Sequence, residues 1–346
     1  MNTKLGSNAE LESSAWVRAR VVAEHRGVYE VAGVPGVVHG VLRGAMATAD
    51  DPRERPAVGD WVRLSPQAGN EVAPIEAIEA RTSLFVRRAV GKRAQVQVVA
   101  ANVDTVLVVM GVDGDFNPRR LERYRVSVAD AGAQAVVVLN KCDLDPTGTR
   151  GAELPGPVVR ISAAQDQGLE ALAPWLAPGQ TVAVVGSSGV GKSTLVNCLL
   201  GREDQATGAT RAGDGRGRHT TTGRMLRTLP GGAALIDTPG MRELGLVGEG
   251  EGLAEVFTEV EALMTVCRFR NCGHQEEPGC AVAAAIEAGT LTAARWASYL
   301  KLRREATAEA RRRDEALRAI DQRVWQQRTV QNQRRTQTRD RLGWKA

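Results

Sequence analysis

Two short stretches hold residue types whose spacing suits nucleotide chemistry. Gly186, Ser187, Ser188, Gly189, Val190, Gly191, Lys192, Ser193 and Thr194 read GSSGVGKST. The glycines let successive backbone N–H groups curl around phosphate oxygens, and a helix opening at Lys192 adds positive potential at its N-terminus. Lys192 is suited to reach the β and γ phosphates, and the Ser193 hydroxyl is suited to bind Mg²⁺. The second stretch, Val136 to Leu144, reads VVVLNKCDL. The Asp143 carboxylate can accept two hydrogen bonds from guanine, one from the ring N–H and one from the exocyclic amine. Adenine has no such donor pair there. Asn140 and Lys141 brace the site and cover the base. Cys142 fills the variable position of this nucleotide-binding loop and brings no chemistry of its own. In RISAAQDQGLEAL, Ser162 and Ala163 match a loop that supports guanine.

A third group completes the phosphate site. Asp237-Thr238-Pro239-Gly240 is a D-x-x-G turn. Asp237 suits the Mg²⁺ side, and the Gly240 N–H can bond a γ-phosphate. The loop RAGDGRGRHTTTGRM lies between the two phosphate motifs, and Thr220 and Thr221 are its candidate Mg²⁺ ligands. The position that often holds a water-orienting Gln, just after D-x-x-G, is Met241. That predicts slow unassisted hydrolysis. His219, just before the threonines, is the best candidate in the chain to place the attacking water.

The base motif precedes the phosphate loop, whereas an ordinary GTPase has the reverse order. The order here is base motif, base-support loop, phosphate loop, switch, D-x-x-G. It describes a circularly permuted GTPase, in which the sheet is kept while the chain ends move.

A separate constellation suits a metal. Cys267-x4-Cys272-x-His274-x5-Cys280 gives three thiolates and one imidazole, a complete tetrahedral set for structural zinc. The other two of the five cysteines, Cys142 and Cys198, stand apart.

The elements that must position these residues are legible as patterns. Residues 14–82 alternate apolar and polar in short runs broken by Gly and Pro, which predicts a small β-barrel, with an OB-fold as the candidate. Its Trp16, Tyr29 and Trp61 suit either core packing or base stacking. RTSLFVRRAVGKRAQ then reads as a basic connector carrying Arg87, Arg88, Lys92 and Arg93. Over residues 95–248, continuous apolar strands such as DTVLVVMG and TVAVVGSSG alternate with helical stretches. This predicts a parallel sheet covered on both faces, with ligands at the carboxyl ends of its strands. Residues 249–346 read as a helical zinc-binding domain with a basic extension. From Lys301 to Ala346 there are 14 Lys and Arg against 6 Asp and Glu, a net +8. The whole chain carries +5, so the remainder carries −3. Such a segment suits nucleic acid. Residues 1–13 lack the apolar core of a signal peptide and read as a disordered tail. No apolar run approaches the roughly 18 residues of a membrane span, so a cytoplasmic protein is expected.

The whole combination resembles the RsgA family of small-subunit-dependent ribosome-assembly GTPases. The resemblance spans nearly the entire chain: barrel, permuted GTPase, then CRFRNCGHQEEPGCAV. It implies an N-terminal OB-fold, GTP and GDP with Mg²⁺ as ligands, and binding to the small ribosomal subunit and its rRNA late in maturation. It also implies GTP hydrolysis stimulated by that subunit, zinc on the four residues named above, and a role for His219 in placing water. A monomer is expected. The rival readings are a GTP-gated RNA-binding scaffold, a permuted GTPase of the large subunit and an ATPase, with Asp143 as the discriminator for the last.

Overall fold

The structure is a computed structural model that describes residues 16–25, 27–36, 38–49, 51–65, 70–88, 96–201, 224–237, 251–275 and 277–312. The expectations placed on the tail 1–13, on Lys92 and Arg93, on His219, Thr220 and Thr221, on Gly240 and Met241, and on the extension beyond 312 lie outside those residues.

Strands β1 (Val17–His25), β2 (Val28–Ala32), β3 (His39–Leu42), β4 (Trp61–Leu64) and β5 (Val72–Ile78) run in the order β1-β2-β3-β5-β4, and β4 pairs back onto β1. This closed five-stranded Greek-key order is an OB-type barrel. The strands form because alternate residues are apolar. Ala19, Val21 and Ala23 of β1 are fully buried, and Ala19 and Val21 pack with Tyr29, Val62, Leu64 and Ile75 while their neighbours face out. A one-turn helix, α1 (Gly44–Ala47), lies between β3 and β4.

The first part of the stretch read as a basic connector is instead a strand. β6 (Leu84–Arg88) and β7 (Val96–Ala101) form an antiparallel pair. Phe85 is 1% exposed and packs with Val99 and Ala100 in the core of the following domain. Arg87 and Arg88 concealed the signal, because their charge outweighed the one buried aromatic between Leu84 and Val86.

Next come β8 (Thr105–Gly111), α2 (Pro118–Asp130), β9 (Gln134–Asn140), β10 (Val158–Arg160), β11 (Thr181–Val185), α3 (Lys192–Leu200), β12 (Met225–Thr228) and β13 (Ala234–Asp237). Their order is β10-β9-β8-β11-β13-β12, parallel throughout except for β12. All seven residues of β8 are buried. Val106, Val108 and Met110 enter the core on one face, with α2, while Leu107 and Val109 enter the core on the other, with α3. That double burial is why the strands read as unbroken apolar runs. β12 also pairs with β1 of the barrel, at Ala23 opposite Met225, so one sheet runs from the α/β domain into the barrel.

The C-terminal part holds α4 (Glu251–Val256), α5 (Thr258–Thr265), α6 (Ala281–Glu287) and α7, described over 293–312. Thr292 caps α7 by accepting from the Arg295 N–H at 3.2 Å. This unit packs on the outer side of α2, whose Val126 belongs to its core.

Candidate functional site

The described nucleotide candidates converge at the carboxyl ends of β8, β9, β11 and β13. β9 delivers Asn140, which is 3% exposed. Its Nδ2 donates to the Val190 carbonyl at 2.8 Å, and its Oδ1 accepts from the Ala163 N–H at 2.9 Å. One buried side chain therefore joins the base motif, the phosphate loop and the base-support loop. Such a fully paired buried amide is costly to remove, because its partners would be left unsatisfied. The fit is close. A Cβ on Gly191 would lie 2.3 Å from Asn140 Nδ2, and Gly191 also sits at φ +95°, so only glycine serves there.

Lys141 adopts φ 65° and donates to the Gly189 carbonyl at 3.0 Å and to Asp113 Oδ2 at 2.7 Å. The exposed Asp143 carboxylate accepts from the Ser162 hydroxyl at 2.6 Å, which orients it. Ser162 is held in turn by paired backbone bonds with Gln167, at 3.0 and 3.1 Å. The Cys142 thiol turns away. It donates to the Leu139 carbonyl at 3.1 Å and packs on the core, and burial raises its pKa.

The phosphate loop leaves β11 and enters α3, as its sequence requires. Lys192 is buried and donates to the Ser187 carbonyl. Ser193 and Thr194 open the helix, half-buried. Asp237 stands at the end of β13, one residue beyond Ile236, which is registered with Ala183 of β11. It is therefore at the same sheet edge as the phosphate loop.

Two residues of this site went unnoticed in the sequence. Asp113 and Asp115 lie in GVDGDFN, the loop that links β8 to α2. Asp115 accepts from the Ser187 hydroxyl at 2.7 Å and pairs with Arg120 at 2.6 Å. Asp113 is held below the usual carboxylate range, chiefly by its hydrogen bond from Lys141. It therefore stays charged at neutral pH. The available signal was position, since this loop also follows a central parallel strand at its carboxyl end.

The four metal candidates come together in the C-terminal unit. One ligand atom from each of Cys267, Cys272, His274 and Cys280 lies within 4.8 Å of all the others. His274 Nδ1 is 3.4 Å from Cys267 Sγ and 3.8 Å from Cys280 Sγ. A tetrahedral zinc site with ordinary bond lengths has sulfur–nitrogen edges of roughly 3.6 Å. The donor set and its spacing fit such an ion. The Ala283 N–H donates to Cys280 Sγ at 3.4 Å, at the start of α6, where the helix end favours negative charge. Trp296 of α7 meets the His274 ring edge-on, with centroids 5.8 Å apart.

Comparisons with known proteins agree with this geometry. A family model described as RsgA GTPase matches residues 78–247. A small ribosomal subunit biogenesis GTPase RsgA from Opitutus terrae is 48% identical over 337 residues, covering 92% of each chain. Its counterpart from Xylella fastidiosa strain M12 is 49% identical over 303 residues, 85% of this chain and 89% of that one. Among solved structures, YjeQ from Thermotoga maritima aligns with a TM-score of 0.63 at 26% identity, covering 85% of this chain and 99% of that one. YloQ, described as a circularly permuted GTPase, aligns at a TM-score of 0.60 and 23% identity over 87% and 98%, a likeness of fold.

Proposed function

The chain belongs to the RsgA family of GTPases, and from that premise we propose that it hydrolyses GTP on the small ribosomal subunit during the subunit's biogenesis. The observation that carries the nucleotide reading is Asn140, whose two bonds tie the base motif to the phosphate loop and to the base-support loop across the permuted connection.

In this reading Asp143 reads the guanine edge, with its carboxylate oriented by Ser162, while Asn140, Lys141 and Ala163 shape the slot. Cys142 contributes backbone only. Gly186, Ser187, Ser188, Gly189, Val190 and Gly191 cradle the phosphates, Lys192 swings from the Ser187 carbonyl to the β and γ oxygens, and Thr194 supports the helix start. Ser193, Asp237 and one of Thr220 and Thr221 would hold Mg²⁺, which when bound offsets charge on the phosphates. The Gly240 N–H bonds the γ-phosphate and His219 places the attacking water. With Met241 in place of a water-orienting glutamine, little in the chain accelerates hydrolysis until the subunit docks. Zinc on Cys267, Cys272, His274 and Cys280 holds the C-terminal unit and takes no part in the reaction, since four protein ligands leave no open position.

The protein works as a cytoplasmic monomer. No described helix is long and apolar enough to cross a membrane, and a single species of monomer mass in light scattering is expected. The decisive experiment is GTP turnover measured alone, with purified small subunits and with purified large subunits. Turnover should rise only with small subunits. Equal turnover in all three overturns the reading in favour of a GTP-gated scaffold. Stimulation by large subunits alone moves the function to the other particle.

A further inference from the structure

The phosphate loop has little of its own to hold it. Gly186, Gly189 and Gly191 take φ +144°, +79° and +95°, a region that favours glycine, and glycine loses the most conformational freedom when it is ordered. Such a loop needs anchors from outside before it can present its N–H groups as a fixed cradle. The base motif holds the second half. Asn140 donates to the Val190 carbonyl at 2.8 Å, and Lys141 donates to the Gly189 carbonyl at 3.0 Å. The first half is held from the other side, by the loop that follows β8. There the Ser187 hydroxyl donates to Asp115 Oδ2 at 2.7 Å, across 72 positions of sequence.

Ser187 has a second tie, because Lys192 donates to its carbonyl. That tie is given up when Lys192 turns to the phosphates. Asp115 then remains as the anchor of the first half, with Gly186 pressed so closely on β8 that a Cβ there would lie 2.2 Å from the Val109 carbonyl oxygen. Asp115 is itself fixed. Its N–H donates to Asp113 Oδ1 at 3.1 Å, and the Phe116 N–H donates to the Asp113 carbonyl at 3.2 Å. Phe116 packs against the core of the α/β domain. Arg120, in the first turn of α2, pairs with Asp115 Oδ1 at 2.6 Å and also donates to its backbone carbonyl. The Asp115 and Arg120 side chains are 22% and 32% exposed. The guanidinium offsets a carboxylate charge that would otherwise oppose a phosphate chain. A charged acceptor also binds the serine hydroxyl more strongly than a neutral one would.

We propose that Asp115 is a positioning residue for the nucleotide phosphates: it pins the first half of the phosphate loop through Ser187, while Arg120 holds the carboxylate in place and balances its charge. This rests on, and deepens, the reading of the site as one for guanine nucleotides. Asp113 of the same loop holds Lys141, so a single loop after β8 braces both the base end and the phosphate end.

The test is displacement of a fluorescent GDP analogue by GDP from the full chain with Mg²⁺, run on the parent, Asp115→Ala, Ser187→Ala and the double variant. Each single variant should weaken GDP roughly tenfold. The double variant should also lose roughly tenfold, whereas independent effects would multiply to roughly a hundredfold. A merely structural effect of Asp115 would not depend on the Ser187 hydroxyl. Xanthosine diphosphate should compete as poorly as it does with the parent, because the base end is untouched. Thermal melting checks that each variant is folded. If Asp115→Ala melts below the assay temperature, Asp115→Leu, which fills the space without an acceptor, takes its place in the same cycle. Parent-like GDP affinity in the folded Asp115 variant, or losses that multiply in the double variant, overturn the proposal and leave the nucleotide reading standing. A parent that binds no guanine nucleotide overturns both.

Discussion

Asp143 reaches solvent with one oxygen held by Ser162 at 2.6 Å, so its orientation is set before any base arrives. Replacing it with asparagine changes an acceptor pair into one acceptor and one donor group. Asp143→Asn is expected to weaken GDP and GTP binding by roughly 10- to 100-fold and to improve binding of xanthine nucleotides, as read by displacement of a fluorescent nucleotide. Unaltered guanine preference would overturn the base-reading role. Asp113 acts one step back, through Lys141. Because its pKa is lowered, the pair contributes above the carboxylate's ordinary pKa and is lost as the pH falls through the lowered value. Asp113→Asn should raise the nucleotide dissociation rate at neutral pH and remove the acid-side fall in affinity. A parent-like pH profile in that variant would argue against the role. Asp143 is a candidate that its motif alone offers. Asp113 is not, since its partner stands 28 positions away and only strand adjacency joins them.

At the scale of elements, α2 holds two units together. Leu121, Tyr124 and Val128 face the α/β sheet, and Val126 faces the C-terminal core. Glu122 accepts from Arg295 at 2.8 Å and from the Ser298 hydroxyl, and Arg295 also pairs with Glu259 at 2.8 Å and lies 4.0 Å over the Phe257 ring. The Glu122 and Arg295 side chains are only 15% and 16% exposed. Glu122→Ala strands a largely buried guanidinium with one remaining carboxylate. It should cost about 2 kcal/mol in the docking of the C-terminal unit, which limited proteolysis should reveal as faster cleavage between the units. Tyr299 extends this network. Its hydroxyl, pushed up to about 12 chiefly by burial, stays protonated and donates to Glu261 at 2.6 Å. The barrel junction is tighter still. Gly59 sits at φ +96°, and a Cβ there would lie 2.1 Å from the Ala101 carbonyl oxygen. Gly59→Ala should lower stability by on the order of 3 kcal/mol, measured by thermal unfolding, through strain and a forced shift of β7.

Across the whole molecule, one hydrogen-bonded sheet joins the barrel to the α/β domain, while the metal candidates belong to a separate core. Removing the ion should therefore act locally. Elemental analysis should find one zinc per chain, and Cys272→Ser should lose it. Treating the native protein with a strong chelator should expose the C-terminal unit to protease while nucleotide binding persists. Simultaneous loss of nucleotide binding would mean that the units fold as one. The barrel is coupled more directly. Arg224, just before β12, donates to the Val98 carbonyl at 2.6 Å and pairs with Glu24 of β1 at 3.8 Å. The same guanidinium thus touches the barrel and the hairpin at the edge of the nucleotide-binding domain.

The sequence by itself determined the chemistry and the order of the parts. Phosphate, base and metal motifs are local, because a loop, a cap or a short ligand spacing is specified by a few adjacent residues. Strand type was also local, since two-sided burial writes continuous apolar runs and one-sided burial writes alternation. Tertiary structure alone decided what distant residues do for one another. It paired the first part of a basic connector with the strand that follows and put Phe85 in a core, gave Lys141 and Ser187 their aspartates, and laid one Trp-Val-Arg, at 16–18, against the other, at 61–63. Those outcomes depend on barrel closure and strand order, and these are set by burial summed over whole units, not by any short stretch.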